Sequence, residues 1–120
     1  MISVINKIRN TKEVNSFAQI LGEVALDNIE ETNKRIDKVK KNRKKLELLL
    51  KQNNITYIKS ESNFILVKVS DSEKIVKELA NQKILVRDRS IFAGFENTIR
   101  VTIGDWHLME TVIKTILKYP

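Results

Sequence analysis

Arg87 and Arg100 stand in two short β-like runs of the stretch ILVRDRSIFAGFENTIRVTIG, residues 84–104, with a glycine-bearing loop between them. A guanidinium in an apolar strand costs free energy unless an anion meets it. Side chains alternate along a strand, so Ile99, Val101 and Ile103 share one face while Arg100 lies with Thr98 and Thr102 on the other. Arg87 shares its face with Leu85, opposite Ile84 and Val86, close to the end of its own strand. If the residues between the strands form a hairpin loop, both side chains reach the same rim of the sheet. Two planar forks at one rim suit carboxylate or phosphate oxygens, which they grip bidentately. The residues alone leave a second reading open, in which each arginine satisfies an internal carboxylate, with Asp88 and Glu96 the nearby candidates.

Composition bounds the other chemistries. With no Cys the chain has no disulfide, thiolate nucleophile or Cys-based zinc site, and the single His107 cannot build a histidine cluster. Hydrophobic residues make up 42% and charged residues 31%, which argues against disorder, and no apolar run approaches the roughly 18 residues of a membrane span. The start, MISVINKIRN, carries no signal-peptide core, so a cytoplasmic location is expected. Lys and Arg exceed Asp and Glu by 22 to 15, and residues 30–45 hold eight basic against three acidic side chains. That stretch is the candidate surface for nucleic acid or an acidic partner. The apolar stripe Ile36, Val39, Leu46 and Leu50 runs through and beyond it, and no aromatic ring interleaves with the bases. A solvated face of an amphipathic helix therefore outweighs a stand-alone basic binding module.

The elements that must position the arginines follow from periodicity. Asn10 and Glu13 resemble a capping box, and Phe17, Leu21, Val24, Ile29, Ile36, Val39, Leu46 and Leu50 predict a long helix over residues 12–52, bent or broken near Asp27-Asn28 where the period slips. QNNI ends it, because adjacent asparagines tolerate left-handed backbone. Strands are expected at Ile55–Ile58 and in NFILVKV, residues 63–69, whose nearly continuous apolar run predicts burial on both faces. Ser70 and Glu73 form an S-x-x-E box before a helix over residues 71–81, two strands follow in KILVRD and NTIRVTI, and Asp105 caps a last helix. Trp106 reads as packed, His107 as surface and Met109 as core filler. The order predicts an α+β fold: a small, mostly antiparallel sheet covered by helices on one side and preceded by a long N-terminal helix. One domain is expected, with residues 1–52 leading into an α+β part at 53–120.

SNFILV, ILVRDRS and IRVTIGD, in that order and spacing, resemble the C-terminal small domain of the fold-type I (class I/II) pyridoxal-phosphate-dependent aminotransferases, nearest the histidinol-phosphate branch. INKIRNTKEVNSFAQILGEVAL resembles the stretch that leads out of that family's large domain, so the likeness covers nearly the whole chain. The resemblance implies that Arg100 holds the substrate carboxylate, or the phosphate where the substrate is histidinol phosphate, and that Arg87 is a second arginine directed at the phosphate. It gives Asn63 a recurrent position with a structural role. Asp105 stands where the family has threonine, and NTKEVN lacks the family's proline-tyrosine pair. The lysine that bonds the cofactor, the aspartate for its ring nitrogen and the helix that cradles its phosphate are implied to lie in a large domain upstream. The chain is thus expected to be the substrate-binding part of a transaminase of amino-acid biosynthesis. It is expected to be inactive alone, without catalytic, cofactor-binding or metal residues of its own, and to hold no pyridoxal phosphate stably. The implied partners are the large domain and a small anionic amino substrate, with room for a homo-oligomer and no membrane or nucleic acid.

Overall fold

Asn15 starts the first helix described by the computed structural model, which describes residues 14–119. The Asn10–Glu13 box lies outside those residues. Helix α1 spans Ser16–Asp27, and the Asn15 side chain accepts a hydrogen bond from the Ala18 N–H at 2.8 Å, meeting one of the donors that a helix start leaves open. The predicted break falls at Asn28, whose backbone N–H and side-chain amide both donate to the Val24 carbonyl. Helix α2, Ile29–Gln52, follows at once. The long helix is therefore two helices, and the first begins later than the periodicity suggested. The chain divides into two compact units, Met1–Arg35 and Ile36–Pro120. In the first, α1 buries none of its residues, and Phe17, Ile20, Leu21, Val24 and Leu26 are all at least half exposed. A helix of 12 residues with that much apolar surface is marginal in isolation.

In the second unit, α2 stops where the paired asparagines predict. Asn54 adopts left-handed backbone with φ 55°, its N–H bonds the Lys51 carbonyl, and the Ile55 N–H bonds Leu50, which is a Schellman ending. Strand β1 is Tyr57–Ile58 and β2 is Phe64–Lys68. Helix α3, Ser72–Asn81, is capped by Asp71, whose carboxylate accepts from the Lys74 N–H at 3.0 Å. This corrects the expected Ser70 cap: the Ser70 hydroxyl donates instead to the Tyr119 carbonyl, tying the turn between β2 and α3 to the residue that follows the last helix. Strand β3 is short, Arg87–Asp88, β4 is Thr98–Thr102, and α4 is Trp106–Leu117. Asp105 occupies the α4 cap position but makes no side-chain cap bond; its carboxylate is drawn to Lys38.

The four strands form one sheet in the order β1-β2-β4-β3, every pair antiparallel. Alternation puts Ile65, Val67, Ile99 and Val101 on a single face, where they join Leu46 and Leu50 of α2, Ile75 and Leu79 of α3, and Met109, Val112, Ile113 and Ile116 of α4. Each such aliphatic side chain, once fully buried, contributes roughly 1.5–3 kcal/mol. The helices thus cover one face only, as the element order predicts. The expected double-sided burial of NFILVKV is not found: Ile65 and Val67 are buried, but Phe64 and Leu66 are half-buried and look onto the open face. Ile36 also departs from the predicted core stripe, being 44% exposed, whereas Leu46 and Leu50 are sealed.

Candidate functional site

The open face is where the arginines meet. Cross-strand partners share a face, and in the register Leu66 stands opposite Arg100, which stands opposite Arg87. The two arginines expected at one rim of the sheet are direct cross-strand neighbours on β3 and β4. The two differ in setting. Arg87 is exposed, while Arg100 is half-buried, with its guanidinium 5.1 Å from the centre of the Phe64 ring. The Nε of Arg100 is buried and has no hydrogen-bond partner among the described residues. A buried donor left unpaired costs about 1–3 kcal/mol, so this one calls for an acceptor.

The internal carboxylates considered from the sequence do not supply it. Asp88 turns to the helix-covered side, where its carboxylate accepts from the Ser90 N–H at 2.8 Å and from the Ser72 hydroxyl at 3.0 Å, while the Ser72 and Ser90 hydroxyls are 2.8 Å apart. Glu96 accepts from the Gly94 N–H at 3.1 Å. Among the described residues neither Arg87 nor Arg100 enters an ion pair.

The Ser90 N–H holds the Asp88 carboxyl below its ordinary value, helped by the Ser90 and Ser72 hydroxyls and opposed by burial. A carboxyl whose folded pKa is depressed stabilises the fold fully above the unfolded value of about 3.9, and that share is lost as pH falls through the folded value. In urea titrations between pH 7 and pH 3, Asp88→Asn is expected to flatten the acid loss of stability relative to the unsubstituted chain. Parallel pH curves for the two proteins would show that the carboxylate is not held as described.

Residues 89–97 build the wall of a cleft of about 240 Å³ lined by Phe64, Leu66, Arg89, Phe92, Phe95 and Arg100. Three successive turns shape this loop, with backbone bonds from Phe92 to Arg89, from Phe95 to Phe92 and from Thr98 to Phe95. Gly94 sits at φ 83°, a left-handed conformation that a side chain would strain. The turns bring Phe92 and Phe95, three residues apart, to the cleft. Sequence reasoning missed these rings and Arg89. The signal for Arg89 was present, since it is two residues beyond Arg87 and so shares its face in extended chain.

Helix α2 anchors the sheet end beside the site. Asn42 Nδ2 donates to the Gly104 carbonyl at 2.8 Å, and Arg43 donates to the Ser62 carbonyl at 2.8 Å and to Glu61 at 2.7 Å. Ser62 precedes β2 and Gly104 follows β4, so the two side chains hold the ends that pair as Phe64 and Thr102. The lysines of residues 30–45 are exposed, as a solvated helix face requires, whereas Asn42 and Arg43 of the same stretch are buried. Other bases of the stretch are engaged as well: Lys38 with Asp105, Lys45 over the Trp106 ring at 3.7 Å, and Lys34 and Arg35 with Glu31. Trp106 is half-buried and donates to Glu110, and His107 is exposed. Asn63 contributes its carbonyl to the Ile103 N–H at 2.8 Å, extending the β2–β4 pairing. Among the described residues no group of three His, Cys, Asp or Glu could hold a metal, and no helix is long and apolar enough to cross a membrane.

A small antiparallel four-stranded sheet with helices on one face is an α+β fold that matches an aminotransferase fragment. Residues 1–116 match the family described as aminotransferase class I and II, and the chain belongs to that family. It is 36% identical to the histidinol-phosphate aminotransferase of Flavobacterium psychrophilum over 98% of this chain and 34% of that protein. It is 40% identical to the histidinol-phosphate aminotransferase of Buchnera aphidicola subsp. Cinara cedri over 72% of this chain and 25% of that protein. A solved structure from Burkholderia pseudomallei, whose description assigns it as an aminotransferase, superposes with a TM-score of 0.74 at 24% identity, covering 98% of this chain and 36% of that one. At that identity the likeness speaks for the fold. The chain spans about a quarter to a third of the length of these two curated relatives.

Proposed function

We propose that this chain is the substrate-anchoring part of a pyridoxal-phosphate-dependent aminotransferase of the histidinol-phosphate type, in which Arg100 and Arg87 hold the anionic group of the amino substrate. The observation that carries the reading is Arg100 itself: half-buried, backed by Phe64, with a buried Nε that no described residue accepts from. A carboxylate or phosphate oxygen meets that donor and offsets the charge. The relatives' names add the substrate type.

The mechanism that follows is one of orientation. Pyridoxal phosphate, when bound, supplies the electron sink of transamination. This chain's cleft fits the anionic end of a substrate and a flat or apolar portion beside it. It does not fit the cofactor, because no lysine lines it. Its volume of about 240 Å³ is also below the range of about 300–1,000 Å³ usual for a complete ligand site. The remainder is supplied by the large domain, against which the exposed apolar side chains of α1 find cover. Arg100 fixes the distant anion in the cleft, where the rings exclude water, and Arg87 adds its charge from the adjoining strand outside it, so that the bond to be broken is presented in one geometry. The chain alone is not catalytic, and its soluble setting is the cytoplasm.

Incubation of the purified chain with pyridoxal phosphate and borohydride, followed by intact mass and peptide mapping, tests the division of labour. Scattered substoichiometric labelling of surface lysines is expected. One stoichiometrically labelled lysine, protected by an amino substrate, would mean that the chain builds a cofactor site of its own.

A further inference from the structure

We infer that Arg89 is a third anion-binding residue, and that it, rather than the exposed Arg87, is the guanidinium that shares the cleft with Arg100. The inference rests on the anion-site reading above and extends it to a residue that reading does not use. Arg89 and Arg100 both line the cleft, and Arg87 does not. Each of the two is set against an aromatic ring, Arg100 over Phe64 at 5.1 Å and Arg89 over Phe92 at 5.4 Å, so each planar fork is backed by a π face. Among the described residues neither is in an ion pair.

Two cations in one apolar-walled cleft repel each other unless an anion lies between them. The surrounding chain holds them there all the same. The Arg89 N–H bonds the Thr98 carbonyl at 2.8 Å, continuing the β3–β4 pairing by one residue. On either side of it, Asp88 and Ser90 are tied to each other and to Ser72 at the start of α3, so the backbone that carries Arg89 is fixed from both neighbours. Arg89 is thus a preorganised donor, and with Asp88 tied to Ser72 and Ser90 no carboxylate is among the residues that line the cleft.

Inorganic phosphate is the probe, titrated into the 15N-labelled chain while the arginine side-chain Nε–Hε signals are followed. The Arg89 and Arg100 signals are expected to shift together with one apparent Kd. Arg89→Gln is expected to weaken phosphate binding about tenfold, the contribution of one charge-assisted hydrogen bond. Arg89→Lys, which keeps the charge and loses the fork, should fall between the two. Lys44→Gln on the exposed surface of α2 removes the same charge and is expected to leave the affinity unchanged. If Arg89→Gln binds phosphate as tightly as the unsubstituted chain, or if Lys44→Gln weakens binding equally, Arg89 has no such role. Loss of binding in Arg100→Gln alone sinks this inference and keeps the anion site, whereas no shift in the unsubstituted chain, or full affinity in Arg100→Gln, sinks the anion site itself.

Discussion

Replacing Arg100 by glutamine in a full-length aminotransferase that carries this domain is expected to lower kcat/KM by roughly 30-fold to several thousand-fold. That range corresponds to the about 2–5 kcal/mol lost when one partner of a buried, charge-assisted contact is removed. The division between constants is informative. An anion gripped equally in ground and transition states would raise KM alone, whereas an anchor that also aligns the reacting bond lowers kcat as well. On the proposed reading the group held by Arg100 is remote from the bond that breaks, so both constants are expected to move. Arg100→Lys keeps a point charge and loses the planar fork, so it should recover part of the loss. Fold stability should change little, since Arg100→Gln removes a buried Nε that has no partner among the described residues. A fall in kcat/KM of less than about threefold would be too small for a substrate anchor and would sink the assignment.

The alternation that places Arg100 opposite the Ile99, Val101 and Ile103 face could be read in the sequence because a strand's side-chain period is fixed at two. The same period held for Ile65 and Val67. It failed as a guide to Phe64 and Leu66, because an apolar residue on an open face and one on a covered face look alike in sequence. What distinguishes them is which side the helices take. The capping of α3 was missed by one residue for a related reason: Ser70 and Asp71 are both good caps, and only the docking of Ser70 onto the Tyr119 carbonyl leaves the role to Asp71. Arg43 was hidden among surface lysines of identical charge, and nothing local shows that Ser62 and Glu61 lie beside it. The cleft was the least legible part. Its arginines are on a strand and its edge, where spacing is informative, but its rings come from successive turns in residues 89–97, where no period operates. The resemblance to aminotransferases pointed to Arg87 and Arg100, and the geometry then set them in unequal positions.

Truncating Ile99 to alanine is expected to cost about 2–5 kcal/mol of unfolding free energy, the range for removing most of a buried aliphatic side chain from a core that relaxes only in part. Ile99 is fully buried on β4, paired across the sheet with Val67 on one side and Asp88 on the other. It is therefore flanked on both sides, and the sheet has little freedom to collapse into the space. Against a typical total of about 5–15 kcal/mol the loss is large, and it should appear as a marked drop in the urea midpoint with little change in slope. Ile99→Val, which removes one methyl group, should cost about 0.5–1.5 kcal/mol. The comparison with Arg100, the next residue and on the opposite face, separates the two functions of the strand. At low temperature and without denaturant Ile99→Ala should still bind phosphate, because its neighbour's guanidinium remains, whereas Arg100→Gln should be stable and unable to bind. An Ile99→Ala chain as stable as the unsubstituted one would mean that the helices do not close over the centre of the sheet. The rigid backing that holds Arg100 in place would then be missing.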